Sequence, residues 1–160
     1  MRWIWIDKFT EFTPKTSATA VKNVTLAEEH LHDLYPAFPI VPHSLLVEGM
    51  AQTAGILVGE ARDFKEKVIL AKVGRATFHR LVRPGDTVHF NAKIDQLNEN
   101  GASISGTVTS GSETVAEIEL MFSHIDQNLS GVKFPEHNFV FTEQFTELLK
   151  GYRTNTAISL

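Results

Sequence analysis

The chain contains no cysteine. That excludes a disulfide framework, a thiolate metal site and a cysteine nucleophile at once, and it fits a reducing compartment. Neither sign of charge dominates, and the charged fraction is close to that of an ordinary globular protein. Charged residues make up 21% of the chain and the net charge is −4, too small to imply a nucleic-acid or membrane partner. No apolar run approaches the roughly 20 residues a membrane span requires. The opening residues, MRWIWIDKFTEF, place Asp7 and Lys8 too early for the apolar region of a signal peptide. There is no glycine-rich phosphate loop and no internal repeat. These absences lead to the expectation of a soluble, cytoplasmic protein with no nucleic-acid partner and no membrane span.

What remains is enough for one domain with a sizeable core: 160 residues, 42% of them hydrophobic. Trp3 to Phe12, rich in aromatic and β-branched residues, reads as a strand. Thr13 to Thr16 is a turn, and Ser17 to Val24 is a second strand of the same hairpin. Thr25 followed by Glu28 has the spacing of a capping box, which predicts a short helix over Leu26 to Asp33. From Lys67 onward the pattern is β. Strands are expected over Val68–Leu81 with a bend near Gly74, over Thr87–Leu97, over Ser103–Thr109 and over Thr114–Ile125. Val88, Phe90, Ala92 and Ile94 alternate inward, and turns fall at Arg83–Asp86 and Asn98–Gly101. Beyond Asp126 the composition changes. A short amphipathic helix is predicted from Thr142 to Lys150, capped by Gly151, with a frayed end from Thr154.

The stretch from Leu34 to Glu60 is unlike the rest. Pro36, Pro39 and Pro42 lead into a helix expected to run to about Arg62, apolar around most of its circumference and therefore buried. Within it stands one carboxylate, Glu48, among Leu45, Leu46, Val47, Met50 and Ala51. A carboxylate in apolar surroundings costs several kcal/mol unless it has partners, so Glu48 reads as functional. The plainer reading is a structural carboxylate paired to Gln52 one turn on. A long buried helix against a large antiparallel sheet makes the fold class α+β.

The run P-x-x-P-x-V-P-x-x-L-x-x-E-x-M-A-Q, Pro36 to Gln52, resembles the 3-hydroxyacyl-[acyl-carrier-protein] dehydratases of fatty acid biosynthesis. Lys22-Asn23-Val24-Thr25, Ala71-Lys72-Val73 and Pro84-Gly85-Asp86 extend the similarity to about Ile4 through Ser123. The resemblance implies a hotdog fold, a long central helix wrapped by a curved antiparallel sheet, over residues 1–125, with 126–160 as a C-terminal extension. It also implies a homodimer or a larger assembly of dimers, an acyl thioester substrate on acyl carrier protein or coenzyme A, and no cofactor or metal. His30, His32, His43 and Asp33 match no standard ligand spacing.

The family's chemistry is acid/base elimination by a loop histidine and a helix carboxylate from different subunits. A backbone N–H at the helix start polarises the thioester oxygen. Glu48 falls on the helix carboxylate. The loop motif H-F-P-G, however, reads Leu34-Tyr35-Pro36-Ala37 here, and leucine cannot transfer a proton. Two readings follow. In one the base is relocated to the side chain of His43 or His32, with the His43 N–H as oxyanion donor. In the other the site has lost dehydration and only binds acyl thioesters, or the chain serves as a structural partner subunit. A hotdog thioesterase, with Glu48 activating water, is a further alternative. Leu34, Tyr35, Phe38, Ser44 and Phe78 are the expected substrate contacts, with Phe90 beside Phe78 as tunnel lining. Lys67, Lys72, Arg75, Arg80 and Arg83 occur with no acid before Asp86. Lys72, Arg75, Arg80 and Arg83 are the expected docking surface for an acidic carrier protein.

Overall fold

Alternating short side chains and a tight turn make the first hairpin. β1 (Lys8–Thr13) pairs antiparallel with β2 (Ser17–Asn23), and Ala18 and Ala20 face the core. The computed structural model describes residues 4–125, 131, 135–136 and 140–158. β1 begins later than its composition suggests because Trp5, buried under the central helix, gives its N–H to Gln52 rather than to a neighbouring strand.

The Ala27 N–H donates to the Thr25 hydroxyl and the Thr25 N–H reaches the Glu28 carboxylate, but these contacts hold a turn and not the expected capping box, since Glu29 and not Thr25 stands at the start of the next helix. The helix that follows, α1, spans only His30–Asp33. The central helix α2 runs from His43 to Glu60. Pro42 stands just before it in an extended conformation (φ −54°, ψ 140°), so it caps the helix rather than opening its first turn. From Gly49 to Gly59 almost every residue is buried, as an all-apolar helix requires. Gly49 lies on the Phe90 ring, where a Cβ would collide with it. Phe90 is therefore a core residue beneath the helix and does not line a tunnel, contrary to the sequence expectation.

The remaining strands are β3 (Val68–Phe78), β4 (Thr87–Leu97), β5 (Gly101–Ser110) and β6 (Glu113–His124). They complete a curved six-stranded antiparallel sheet in the order β1-β2-β4-β5-β6-β3. Register shifts at several points bend it, one of them between Val73 and Arg75, where Gly74 predicted a bend. β3 ends at Phe78, short of Leu81, because Arg80 turns away to pair with Asp86. β3 lies at one edge of the sheet and β1 at the other, and α2 packs across the face between them.

The C-terminal helix, α3, spans Glu143–Ile158 and so passes through Gly151 instead of stopping there. A glycine costs a helix about 1 kcal/mol, and packing outweighs that: Leu149 is buried in the main core and Tyr152 packs beside it. The expected fraying from Thr154 is corrected as far as Ile158, and the last residues lie outside those described.

Candidate active site

Glu48 sits half-buried on α2 at the wall of an apolar cleft of about 290 Å³. Ala51, Gln52, Gly55 and Ile56 of α2 line one side of it and Val68, Ile69 and Leu70 of β3 another. Phe122, Val140, Phe141 and Phe145 complete it. Glu48 is the only ionisable residue among the described residues of this lining.

The carboxylate is held. Gln52 Nε2 donates to Glu48 Oε1 at 2.7 Å, and Gln52 Oε1 accepts the backbone N–H of Trp5 at 2.8 Å. A backbone N–H can only donate, so it fixes which end of the amide faces Trp5 and leaves the NH₂ end for Glu48. The carboxylate is thereby tied to the chain segment ahead of β1. The structural reading of Glu48, a pair with Gln52, and the functional one share the same contact: the bond uses one oxygen and leaves the side chain on the cleft wall.

His43 begins α2, is exposed, and stacks face to face on Phe78 with ring centroids 4.1 Å apart and planes 4° from parallel. His43 is the first residue of the helix, whose opening N–H groups carry partial positive charge. Ser44 is exposed in the same turn. His32 is turned elsewhere: its Nε2 lies 2.6 Å from the carbonyl of Leu26. Leu34, Tyr35 and Phe38 are 55%, 47% and 47% exposed, on the loop leading to α2. None of the three lines the cleft that holds Glu48. Ala37, where the resembling motif has glycine, takes a left-handed conformation with φ 63°.

The basic strip looks different in space. Lys67 is buried. Arg75 pairs with Glu119 at 2.8 Å, its direct partner in the register of β3 and β6. Arg80 reaches Asp86 with two nitrogens, at 2.9 and 3.2 Å, and Glu113 at 2.9 Å. The Arg80 guanidinium holds the Asp86 carboxyl below the usual carboxylate range, and hydrogen bonding to Asp86 raises Arg80 above its own ordinary value. Arg83 lies over the exposed Phe38 ring at 4.9 Å, and Lys72 is exposed on β3.

Sequence reasoning did not find Val140, Phe141 and Phe145 as cleft residues. The apolar spacing of Phe145, Leu148 and Leu149 marked a packing face, but nothing in its periodicity says what the face covers. Among the described residues no group of His, Asp and Glu side chains converges as a metal site. No helix among them is long and apolar enough to cross a membrane.

A family model described as a FabA-like domain matches residues 3–119. The 3-hydroxyacyl-[acyl-carrier-protein] dehydratase FabZ of Rickettsia rickettsii (strain Sheila Smith) is 39% identical over 117 residues, 72% of this chain and 81% of that protein. Among solved structures, the dehydratase heterocomplex ApeI:P from Xenorhabdus doucetiae has a TM-score of 0.65 at 12% identity, covering 79% of this chain and 90% of that one. A Streptococcus mutans UA159 protein bound to acetyl CoA has a TM-score of 0.61 at 11% identity, covering 77% and 91%. At such identities the structural likeness speaks for the fold, and it is the hotdog fold. The matched segment holds all of α2, Glu48 and Gln52 included, together with most of the sheet that wraps it, and on that ground the chain belongs to the FabA-like family of 3-hydroxyacyl-[acyl-carrier-protein] dehydratases.

Proposed function

We infer that this chain is a hydro-lyase that removes water from 3-hydroxyacyl thioesters, reversibly, in fatty acid biosynthesis. The observation that carries the reading is a carboxylate, Glu48, fixed by Gln52 on the wall of an apolar cleft. It stands within a segment 39% identical to a dehydratase of that specificity.

The reaction needs a base at C2, an acid at the 3-hydroxyl and a donor for the thioester oxygen. The base takes the C2 proton, the C2–H electron pair forms the C2–C3 double bond, and the C3–O bond breaks. Glu48, in the role of the acid, gives a proton to the departing hydroxyl, which leaves as water. The N–H of His43 at the helix start stabilises negative charge on the thioester oxygen. The imidazole of His43 is the base best supported by geometry, since the Phe78 stack presents it at that same helix start. His32 is less well supported, because its ring nitrogen is engaged by Leu26.

His43 and Glu48 stand about one and a half turns apart on one helix. The reading therefore takes the base from one copy and the acid from another, in a homodimer or an assembly of dimers. Leu34, Tyr35, Phe38, Ser44 and Phe78 would form the approach to the site. Residues 1–125 would make up the catalytic unit and 126–160 the extension, whose helix α3 packs on that unit.

The substrate class is an acyl thioester carried by acyl carrier protein or coenzyme A. Lys72 and Arg83 would meet an acidic carrier first, with Arg75 contributing once parted from Glu119. Arg80, held by Asp86 and Glu113, would mainly shape that surface.

Product analysis on 3-hydroxyacyl thioesters tests the assignment. A 2-enoyl thioester and water are expected. Free thiol would assign a thioesterase instead, and binding without conversion would leave a silent binding subunit.

A further inference from the structure

One wall of the Glu48 cleft comes from outside the matched family domain. The match ends at residue 119, yet Val140, Phe141 and Phe145 line the cleft together with Ala51, Gln52 and Gly55 of α2. The segment carrying them is anchored on both sides of Phe145. Ahead of it, the Phe141 ring lies on Gly59 of α2, where a Cβ would collide with it. The same ring meets Phe64 edge to face at 5.1 Å and 67°. Behind it, Leu149 is 2% exposed within the main core, and Arg153 donates to Glu60 Oε1 at 2.6 Å. An aromatic fixed in this way cannot move aside cheaply, because each anchor is a packed or charge-assisted contact.

Along the axis of α2, Glu48 and Gly59 are separated by about 16 Å at 1.5 Å per residue. A thioester reacting at Glu48 places its carbonyl, C2 and C3 beside the carboxylate, and its apolar tail must lie against apolar walls. Phe141, seated on Gly59, stands where those walls end. We propose that the C-terminal segment closes the acyl cleft, and that Phe145 and Phe141 set the length of acyl tail this chain accepts. The proposal rests on the acyl-thioester reading of the same cleft. Each methylene that leaves water for the cleft favours the longer substrate by about fourfold, the equivalent of ~0.8 kcal/mol. Once a tail reaches the anchored rings the gain stops, since further methylenes must distort close packing or remain in water.

The test uses the full chain and the variants Phe145→Ala and Phe145→Trp, with melting temperatures recorded for each. Two profiles are measured: kcat/KM for 3-hydroxyacyl thioesters of increasing tail length, and Kd by calorimetry for saturated acyl-coenzyme A of the same lengths. The ratio of long-tail to short-tail values is expected to rise about fourfold for each methylene newly accommodated in Phe145→Ala. In Phe145→Trp it is expected to fall. The two variants move the ratio in opposite directions, which simple destabilisation does not, and Phe145→Trp still decides the matter if Phe145→Ala does not fold. An unchanged ratio in wild type and variants that turn over substrate overturns the inference and leaves the dehydratase reading standing. A shifted binding ratio with no enoyl product from any chain overturns the dehydratase reading and leaves the inference standing. A wild type that neither binds nor converts any tail length overturns both.

Discussion

Gln52 donates to Glu48 from one helical turn away while its carbonyl holds the N–H of Trp5. The proposed acid is thus positioned by a residue that is itself fixed by a segment distant in sequence. Replacing Gln52 with leucine removes both bonds, a cost of about 1–3 kcal/mol in stability. It also releases the carboxylate, and small misplacements of a reacting group cost on the order of 100-fold in rate. The expected outcome for Gln52→Leu is a folded chain with a lower melting temperature, kcat down on that scale and a smaller change in KM. Loss of stability with kcat intact would confine Gln52 to a structural role.

His43 stacks on Phe78, and the proposed function adds the role of proton acceptor. His43→Phe keeps an aromatic ring for the stack and removes the base. Turnover should fall by about 10²–10⁴-fold, with a melting temperature close to that of the wild type. His43→Ala should lose both, the stack being worth about 0.5–1.5 kcal/mol. Full activity in His43→Phe would remove His43 from the chemistry.

Ala37 holds φ 63° in the loop before α2. A side chain in the left-handed region costs about 1–2 kcal/mol, partly offset in glycine by the greater freedom of its unfolded chain. Ala37→Gly should therefore stabilise the protein by about 1 kcal/mol in denaturant titration. A decrease in stability would show that the loop conformation is held by contacts of the Ala37 methyl group.

Asp86 is held below the usual carboxylate range, first by its hydrogen bond to Arg80 and further by the Arg83 N–H. A depressed carboxylate stabilises the fold above its unfolded pKa, and that contribution disappears as pH falls through the lower folded value. With an ordinary value of 3.8, the contribution should be complete at neutral pH and fade on acidification below about that value. Asp86→Asn should lower stability at pH 7 and flatten its fall at acid pH, read by urea unfolding at a series of pH values. A parallel shift of the whole profile would contradict the assignment.

How much of this was legible depended on the distance over which each contact acts. β4 matches its alternation as far as Ala92, since Val88, Phe90 and Ala92 are buried, while Ile94 is only partly buried where the register shifts. Glu48 stood out because a carboxylate in an apolar helix is conspicuous without knowledge of the fold. The Arg75–Glu119 pair did not, because cross-strand register is invisible in sequence order. For the same reason a strip without acidic neighbours in sequence acquired them in space. α3 outran its predicted end because, beyond Gly151, Tyr152 packs on the core and Arg153 pairs with Glu60, which outweighs the propensity cost of the glycine. The aromatic wall of the cleft was hidden because it joins residues beyond 139 to a helix that ends at Glu60.

The central claim is that Glu48 of one copy and His43 of another form a single dehydrating site. Mixing two dead chains tests it most directly. Glu48→Gln and His43→Phe are purified separately, unfolded together and refolded, and formation of 2-enoyl thioester is followed in the mixture and in each chain alone. In a mixed pair one site receives an intact Glu48 from one chain and an intact His43 from the other. The account predicts no turnover by either variant alone and recovery of a substantial fraction of wild-type turnover in the mixture. A mixture as inactive as its components, in which mixed pairs demonstrably form, would contradict it.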